Sequence, residues 1–381
     1  MKITKVTPFL ISSNYGMGKV LGQPLGVKTL GFVEIETSEG ICGYGEAYCA
    51  IYAPESFVEI INIFAQELLD KYPEPEFLFD EIHIPFVTRS GFFKSVYSAI
   101  DIALWDIKSK YENQTIANLI SSNLSKSSIK IYASGGSAAF SALEIQEDIK
   151  KQVSLGHNSY KMRIGFQTWE KDIERIIAAK NCLTEEKDLM VDAIMGTINP
   201  PWTYTVAKER LKQVENLNLK WIEEPLPPDN LIDYRSLKSE IAIPIASGEA
   251  LTSKLDFESY ILNGCVDYLQ PDVTHCGGIT AGKRICELAM QNKIKISMHV
   301  WGSPLALAAN KELAMAYGNV EWLEVPTVEL EFAKDFDTNV EISHGKVFAE
   351  LQKGFSFPNK NELLKKYPFV SGSGFKFPNR K

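Results

Sequence analysis

The six cysteines are scattered along the chain and no two of them form a CxxC pair, so the sequence offers no disulfide framework. A reduced, intracellular protein is the reading that fits. Long apolar runs are missing too: nothing approaches the roughly 18–20 consecutive residues that a membrane span needs. The apolar stretch in MKITKVTPFLISS is too short and too interrupted for a signal core. A cytoplasmic protein is therefore expected, with no membrane partner. Positive charge is scarce, with 40 Lys and Arg against 48 Asp and Glu and a net charge of −8. That balance argues against a nucleic-acid backbone as partner. An anionic substrate would have to be met by a local device, a metal ion or a few Lys and Arg.

What is present is a regular alternation. At 381 residues the chain is long enough for a β/α barrel of about 250 residues plus a second domain. Residues 1 to about 50 read as an antiparallel meander, with strands Ile3–Leu10, Gly31–Thr37 and Ile41–Ala47. The Gly-rich stretch Ser12–Val27 is long for a hairpin loop, as functional loops tend to be. Helical periodicity follows in Phe57–Leu69 and Phe92–Tyr111. From there strands are expected at Ile129–Ala133, Ser159–Arg163, Asp188–Asp192, Leu219–Glu223, Ile243–Ser247, Tyr268–Gln270, Lys295–His299 and Trp322–Val325, with a helix between neighbours. The expected fold class is α/β: a TIM-like barrel of modified (β/α)7β form. An α+β capping domain (1–120) would precede the barrel domain (121–326), and a segment (327–381) would return to the cap.

Active sites of such barrels collect at the C-terminal ends of the strands. Strands three, four and five end at Asp192 in VDA, Glu223 in WIEEP and Glu249 in ASGEA. Three carboxylates converging on one point repel each other unless a cation intervenes. Hard oxygen donors of this kind suit Mg²⁺ or Mn²⁺ better than zinc. Strand two ends in Lys161 and Arg163, two apart and so on one face. Strand six ends in Asp272, strand seven in His299 and strand eight in Glu324. His299 suits a general base beside the α-carbon of a carboxylate, with Asp272 orienting its other ring nitrogen. Arg163 stays protonated and is a poor base. Lys161 could serve as one only if its neighbours depressed its pKa.

The motifs YSAIDIALWDIKSK (Tyr97–Lys110), YKMRIG (Tyr160–Gly165), VDA, WIEEP, SGEA, QPDVTHCGG and MHVWG together resemble the enolase superfamily, and specifically its mandelate racemase subgroup. Glu223, Glu249, Asp272 and His299 follow one another at 26, 23 and 27 residues, each one strand–helix step. The resemblance implies that Asp192, Glu223 and Glu249 hold Mg²⁺, with Glu223 matching the ligand position better than Glu224. It implies Asp272 and His299 as catalytic dyad, and Glu324 as a hydrogen-bonding partner of the substrate carboxylate. By the same analogy the loop around Tyr15 and Lys19, the segment Arg89–Lys94 and Trp301 in MHVWG would contact the substrate. A homo-oligomer, dimer or octamer, is also implied.

One departure matters. Mandelate racemase is similar to this chain but carries Lys-x-Lys where Lys161 and Arg163 stand. The second lysine is one of its two opposed bases, so the change to arginine favours a one-base β-elimination, as in the sugar-acid dehydratases. QPDVTHCGGIT and HVWGSPLALAAN also resemble galactarolactone cycloisomerases, in which the leaving group is a lactone ring oxygen. The expected partner is a small anionic sugar acid or its lactone. A racemase or epimerase using Lys161 and His299 from opposite faces, and a non-catalytic binding protein, are the competing readings.

Overall fold

A computed structural model describes residues 1–16, 25–82, 88–122, 124, 126–184, 186–336, 342–348 and 352–376. The meander consists of strands Ile3–Asn14, Val27–Thr37 and Cys42–Ala47, paired antiparallel in chain order. The first two run further toward each other than their alternation suggests, with Asn14 opposite Val27. Helices Pro54–Leu68 and Phe92–Glu112 cover one face. The contact is so close that a Cβ on Gly43 or Gly45 would stand 2.1 Å from the Ala103 carbonyl oxygen or 1.9 Å from that of Ala99. Those glycines let a helix backbone sit directly on a strand.

Eight parallel strands close the barrel: Ser128–Ser134, Ser159–Arg163, Asp188–Asp192, Ile222–Glu223, Ile245–Ser247, Tyr268–Leu269, Lys295–Met298 and Val320–Pro326. The eighth pairs with the first from Trp322↔Lys130 to Pro326↔Ser134. Seven helices alternate with them, which gives the (β/α)7β form. Strand four is shorter than its apolar run, yet Lys220 N still donates to Leu189 O, so the chain is extended before the ladder begins. Inside the barrel Tyr132, Met190, Trp221, Ala246, Tyr268 and Trp322 form a buried layer. This aromatic floor closes the barrel beneath the catalytic end.

Helix Phe92–Glu112 also ties the cap to the barrel. Its Asp101 accepts from Thr280 N at 2.8 Å, its Ser98 hydroxyl from Gly277 N at 2.9 Å, and Trp105 Nε1 donates to Thr280 Oγ1 at 2.9 Å. These bonds hold the start of helix Gly278–Gln291, and with it the loop carrying Asp272. The residues after Pro326 do not all return to the cap. Strand Lys346–Phe348 pairs antiparallel with Ser128–Lys130 of the first barrel strand, while Phe357 stacks on Tyr44 at 4.3 Å and Phe375 N donates to Ile51 O. Among the described residues no helix is long and apolar enough to cross a membrane.

His157, between helix Ala142–Ser154 and strand two, is buried with Nδ1 unpaired, and burial lowers its pKa to about 4. The unfolded chain, titrating near 6.5, binds more protons than the folded one between those values. Stability contributed by neutral His157 is therefore whole above about pH 6.5 and lost as pH falls toward 4. The loss should reach about 3 kcal/mol. Urea unfolding of wild type and His157→Gln at pH 7 and pH 4.5 checks this, with the wild type expected to lose more.

Candidate active site

The ends of strands two to eight bring the polar residues together above the aromatic floor. Lys161 is fully buried, and its ammonium binds Glu223 Oε1, Glu324 Oε1 at 3.0 Å and Asp192 Oδ2 at 3.7 Å. Glu223 Oε2 accepts from Trp221 Nε1 at 3.1 Å and Gln270 Nε2 at 2.7 Å, so strand four's carboxylate is anchored to the floor. Burial acts to lower the Lys161 pKa, but Glu223, Glu324 and Asp192 outweigh it and raise it well above the ordinary value. Lys161 is thus held as a cation, contrary to the condition under which it could be a base.

Arg163 lies one strand residue pair further out. Its guanidinium donates to Gly135 O at 2.9 Å and Ser134 Oγ at 3.2 Å and stands 3.8 Å from Asp192. Opposite, His299 Nδ1 is 2.9 Å from Asp272 Oδ2. Asp272 Oδ1 accepts from Thr274 N and Oγ1 at 2.8 Å and Asn310 Nδ2 at 3.0 Å, which fixes its carboxylate and the imidazole plane. Nε2 is thereby left toward the cavity, 3.3 Å from Glu249 and 3.8 Å from Glu324. Glu324 also accepts from Val300 N at 3.2 Å. Burial would raise the Glu324 pKa, but Lys161 and His299 hold it down at about 2.

Asp192, Glu223, Glu224, Asp272 and Glu324 therefore share one buried region with Lys161 and His299, and Glu249 and Arg163 stand half-buried at its edge. Negative charge is in surplus. Burial and mutual repulsion raise the pKa of Asp192, of Glu249 and of Glu224, and Glu224 Oε1 is buried without a partner. Burial would lower His299, yet Glu249, Glu324 and Asp272 raise it to about 10. A cation beside Glu249 would relax each of these. The donor set is all oxygen, so the residues fit a hard divalent ion. As placed, no three such side chains among the described residues are gathered closely enough to hold one.

Glu224, set aside in favour of Glu223 as a metal ligand, also enters the site. Its φ of +40° turns the chain sharply, so that Glu223 faces the barrel interior and Glu224 the loops. Its place directly after Glu223 in WIEEP is the signal. Tyr48 and Tyr52 were missed. They sit four apart at a short 3₁₀ turn after the third cap strand and line the cavity together with Tyr15, Trp301, Phe375, Asp192, Arg163, Glu249 and His299. Trp301 Nε1 donates to Tyr15 Oη at 3.0 Å. Lys19 lies outside the described residues. The segment Arg89–Lys94 does not reach this cavity: Gly91 N donates to Thr252 Oγ1, and Lys94 lies 3.5 Å over the Phe79 ring.

A cap residue holds the Trp301 loop in place. Buried Lys28 donates to the Trp301 carbonyl and lies 4.2 Å and 4.7 Å from the Trp301 and Tyr15 ring centres. Beside it, Glu46 accepts from Ser303 N at 3.0 Å, and a Cβ on Gly302 would lie 2.4 Å from Glu46 Oε1. Lys28→Met should leave the Trp301 carbonyl unpaired and cost about 1–3 kcal/mol, read from the urea midpoint. KM should rise more than kcat falls, because Trp301 lines the cavity while His299 keeps its own support.

Residues 22–121 match the family described as mandelate racemase / muconate lactonizing enzyme, N-terminal domain, and residues 144–362 match the enolase C-terminal domain-like family. The L-talarate/galactarate dehydratase of Salmonella typhimurium is 28% identical over 343 residues, covering 88% of this chain and 81% of that one. The D-galactarolactone cycloisomerase of Agrobacterium fabrum is 28% identical over 283 residues, 73% of this chain and 72% of that one. Among solved structures, L-talarate dehydratase from Polaromonas sp. JS666, complexed with Mg and L-glucarate, superposes with a TM-score of 0.81 at 27% identity, over 96% of this chain and 97% of that one.

Proposed function

This chain belongs to the mandelate racemase subgroup of the enolase superfamily, and from that premise we propose that it is a sugar-acid dehydratase. It removes the α-proton of a sugar-acid carboxylate and then eliminates the β-hydroxyl, giving a 2-keto-3-deoxy acid. The observation that carries the reading is the Asp272–His299 pair at 2.9 Å, with Nε2 turned toward the cavity, 3.3 Å from Glu249, and Arg163 rather than a lysine at the end of strand two.

Asp192, Glu223 and Glu249 are the residues that would hold Mg²⁺; the L-talarate dehydratase structure, complexed with Mg, supports the choice of ion. A bound ion would supply Lewis-acid stabilisation of the carboxylate as enediolate charge develops. Lys161 and Arg163 add fixed positive charge at the same end, and Glu324 braces Lys161 and the Val300 amide. His299 Nε2 takes the proton from C2. The resulting imidazolium returns it to the hydroxyl leaving C3, so that the C2–H and C3–O bonds break, a C2–C3 double bond forms and water departs. The enol then takes a proton at C3, gives up the one on its C2 hydroxyl and becomes the ketone.

A second reading keeps the same elimination with a lactone ring oxygen as leaving group. The similarity to the D-galactarolactone cycloisomerase favours it. The test is a panel of aldonic and aldaric acids and their lactones with Mg²⁺ in deuterium oxide. Elimination from an open acid should give a product that reacts with semicarbazide. Deuterium washed into both C2 epimers, with no keto acid formed, would establish a racemase and overturn the proposal.

A further inference from the structure

The distal half of the cavity has a chemistry of its own. Tyr48 stands edge-on to the His299 ring at 5.8 Å, so the wall begins beside the proposed base. From there it runs outward through Tyr52 (5.6 Å from Tyr48), Trp301 (5.5 Å from Tyr48) and Phe375, which is 5.3 Å from Tyr52 and 5.8 Å from Trp301. Four chain segments contribute to it, since Tyr15 joins through its bond to Trp301 Nε1. The tail is fitted to its seat: a Cβ on Gly374 would lie 2.6 Å from the Tyr52 carbonyl oxygen. The two tyrosine hydroxyls at the turn share one hydrogen bond at 3.0 Å, which leaves a single O–H between them to donate elsewhere. Most of what they offer the cavity is ring.

Positive charge is at the other end. Among the described residues Arg163 is the Lys or Arg side chain that lines this cavity, and it lies beside Asp192 at the proposed carboxylate end, with His299 at the same end. Lys28 is close by but turned behind Trp301, onto its carbonyl and ring. An aromatic face carries negative quadrupole charge and attracts the weakly positive C–H groups of a carbohydrate while repelling a carboxylate. A buried carboxylate without a partner is costly.

We infer that the substrate is a monocarboxylic sugar acid whose carbon skeleton beyond C3 lays a C–H face against the Tyr48–Tyr52–Trp301–Phe375 wall, and that diacids are disfavoured. This rests on the proton-abstraction reading above and narrows it to one class. Similarity to a protein complexed with L-glucarate, a diacid, makes it a discriminating claim.

The test compares configurationally matched pairs, such as gluconate with glucarate and galactonate with galactarate, on the Mg²⁺-loaded protein, following both turnover and α-deuterium exchange. The monoacid of the best pair should exceed its diacid in kcat/KM by at least about 100-fold, the scale on which an unmatched charged group is rejected. Phe375→Arg, which places a cation at the wall, should shift that ratio toward the diacid by at least about 10-fold. Exchange and turnover with a diacid preferred would overturn this inference and leave proton abstraction standing. Exchange in none of the acids would overturn both.

Discussion

His299→Asn should lower kcat by about 10²–10⁴-fold, the loss expected when a positioned general base is removed. The asparagine amide can still donate to Asp272, which keeps Thr274 and Asn310 as partners, so the loop after strand six has no reason to rearrange. The variant should stay folded and should retain the Mg²⁺-dependent rise in Tm. It should also lose α-deuterium exchange, which separates loss of the base from loss of a later step. Activity within tenfold of the wild type would remove His299 from the role. The same logic distinguishes Arg163: a change there should alter substrate binding and rate without abolishing exchange, because a guanidinium does not give up its proton.

Glu249→Gln should weaken Mg²⁺ binding by about 100-fold or more, since even outer-shell partners of a metal contribute 10–100-fold. Glutamine preserves the side chain's shape and removes its charge, so packing is not the variable. Binding is read as the Mg²⁺ concentration that raises Tm, through the stabilisation of RT ln(1 + [L]/Kd) that a ligand of the native state confers. Chelation of the wild type should abolish turnover, and Mg²⁺ should restore it. Unchanged affinity in Glu249→Gln would take that residue out of the ligand set. Relief of carboxylate repulsion should make the ion-free variant at least as stable as the ion-free wild type, because burial and Glu223 both work against ionised Glu249.

The barrel was legible because each strand ends in a short apolar run followed by a polar residue, and strand two and strand three have the bounds that this pattern gives. The candidate site was legible for the same reason: in a closed barrel, strand ends are neighbours whatever the helices between them do. Asp192, Lys161, Arg163, Asp272, His299 and Glu324 therefore meet in space at positions that spacing alone assigns. The substrate wall was not legible. Tyr48 and Tyr52 lie at the end of the cap sheet, Phe375 is near the end of the chain, and no periodicity joins them to Trp301.

The sequence by itself determined the barrel with its antiparallel cap and the order of polar residues around the barrel mouth, because those follow from local periodicity and strand-end chemistry, and its motifs carried the resemblance to the family. Only the tertiary structure decided what those residues do to one another. The carboxylates of Glu223, Glu324 and Asp192 outweigh burial and make Lys161 a fixed counter-ion rather than a base, Glu223 is bound to Trp221 and Gln270, and a carboxylate oxygen of Glu224 is buried unpaired. It also decided which cap, loop and tail rings close over His299. Charge coupling and aromatic contact act over a few ångströms, between segments up to hundreds of residues apart, and such distances exist only in the folded chain.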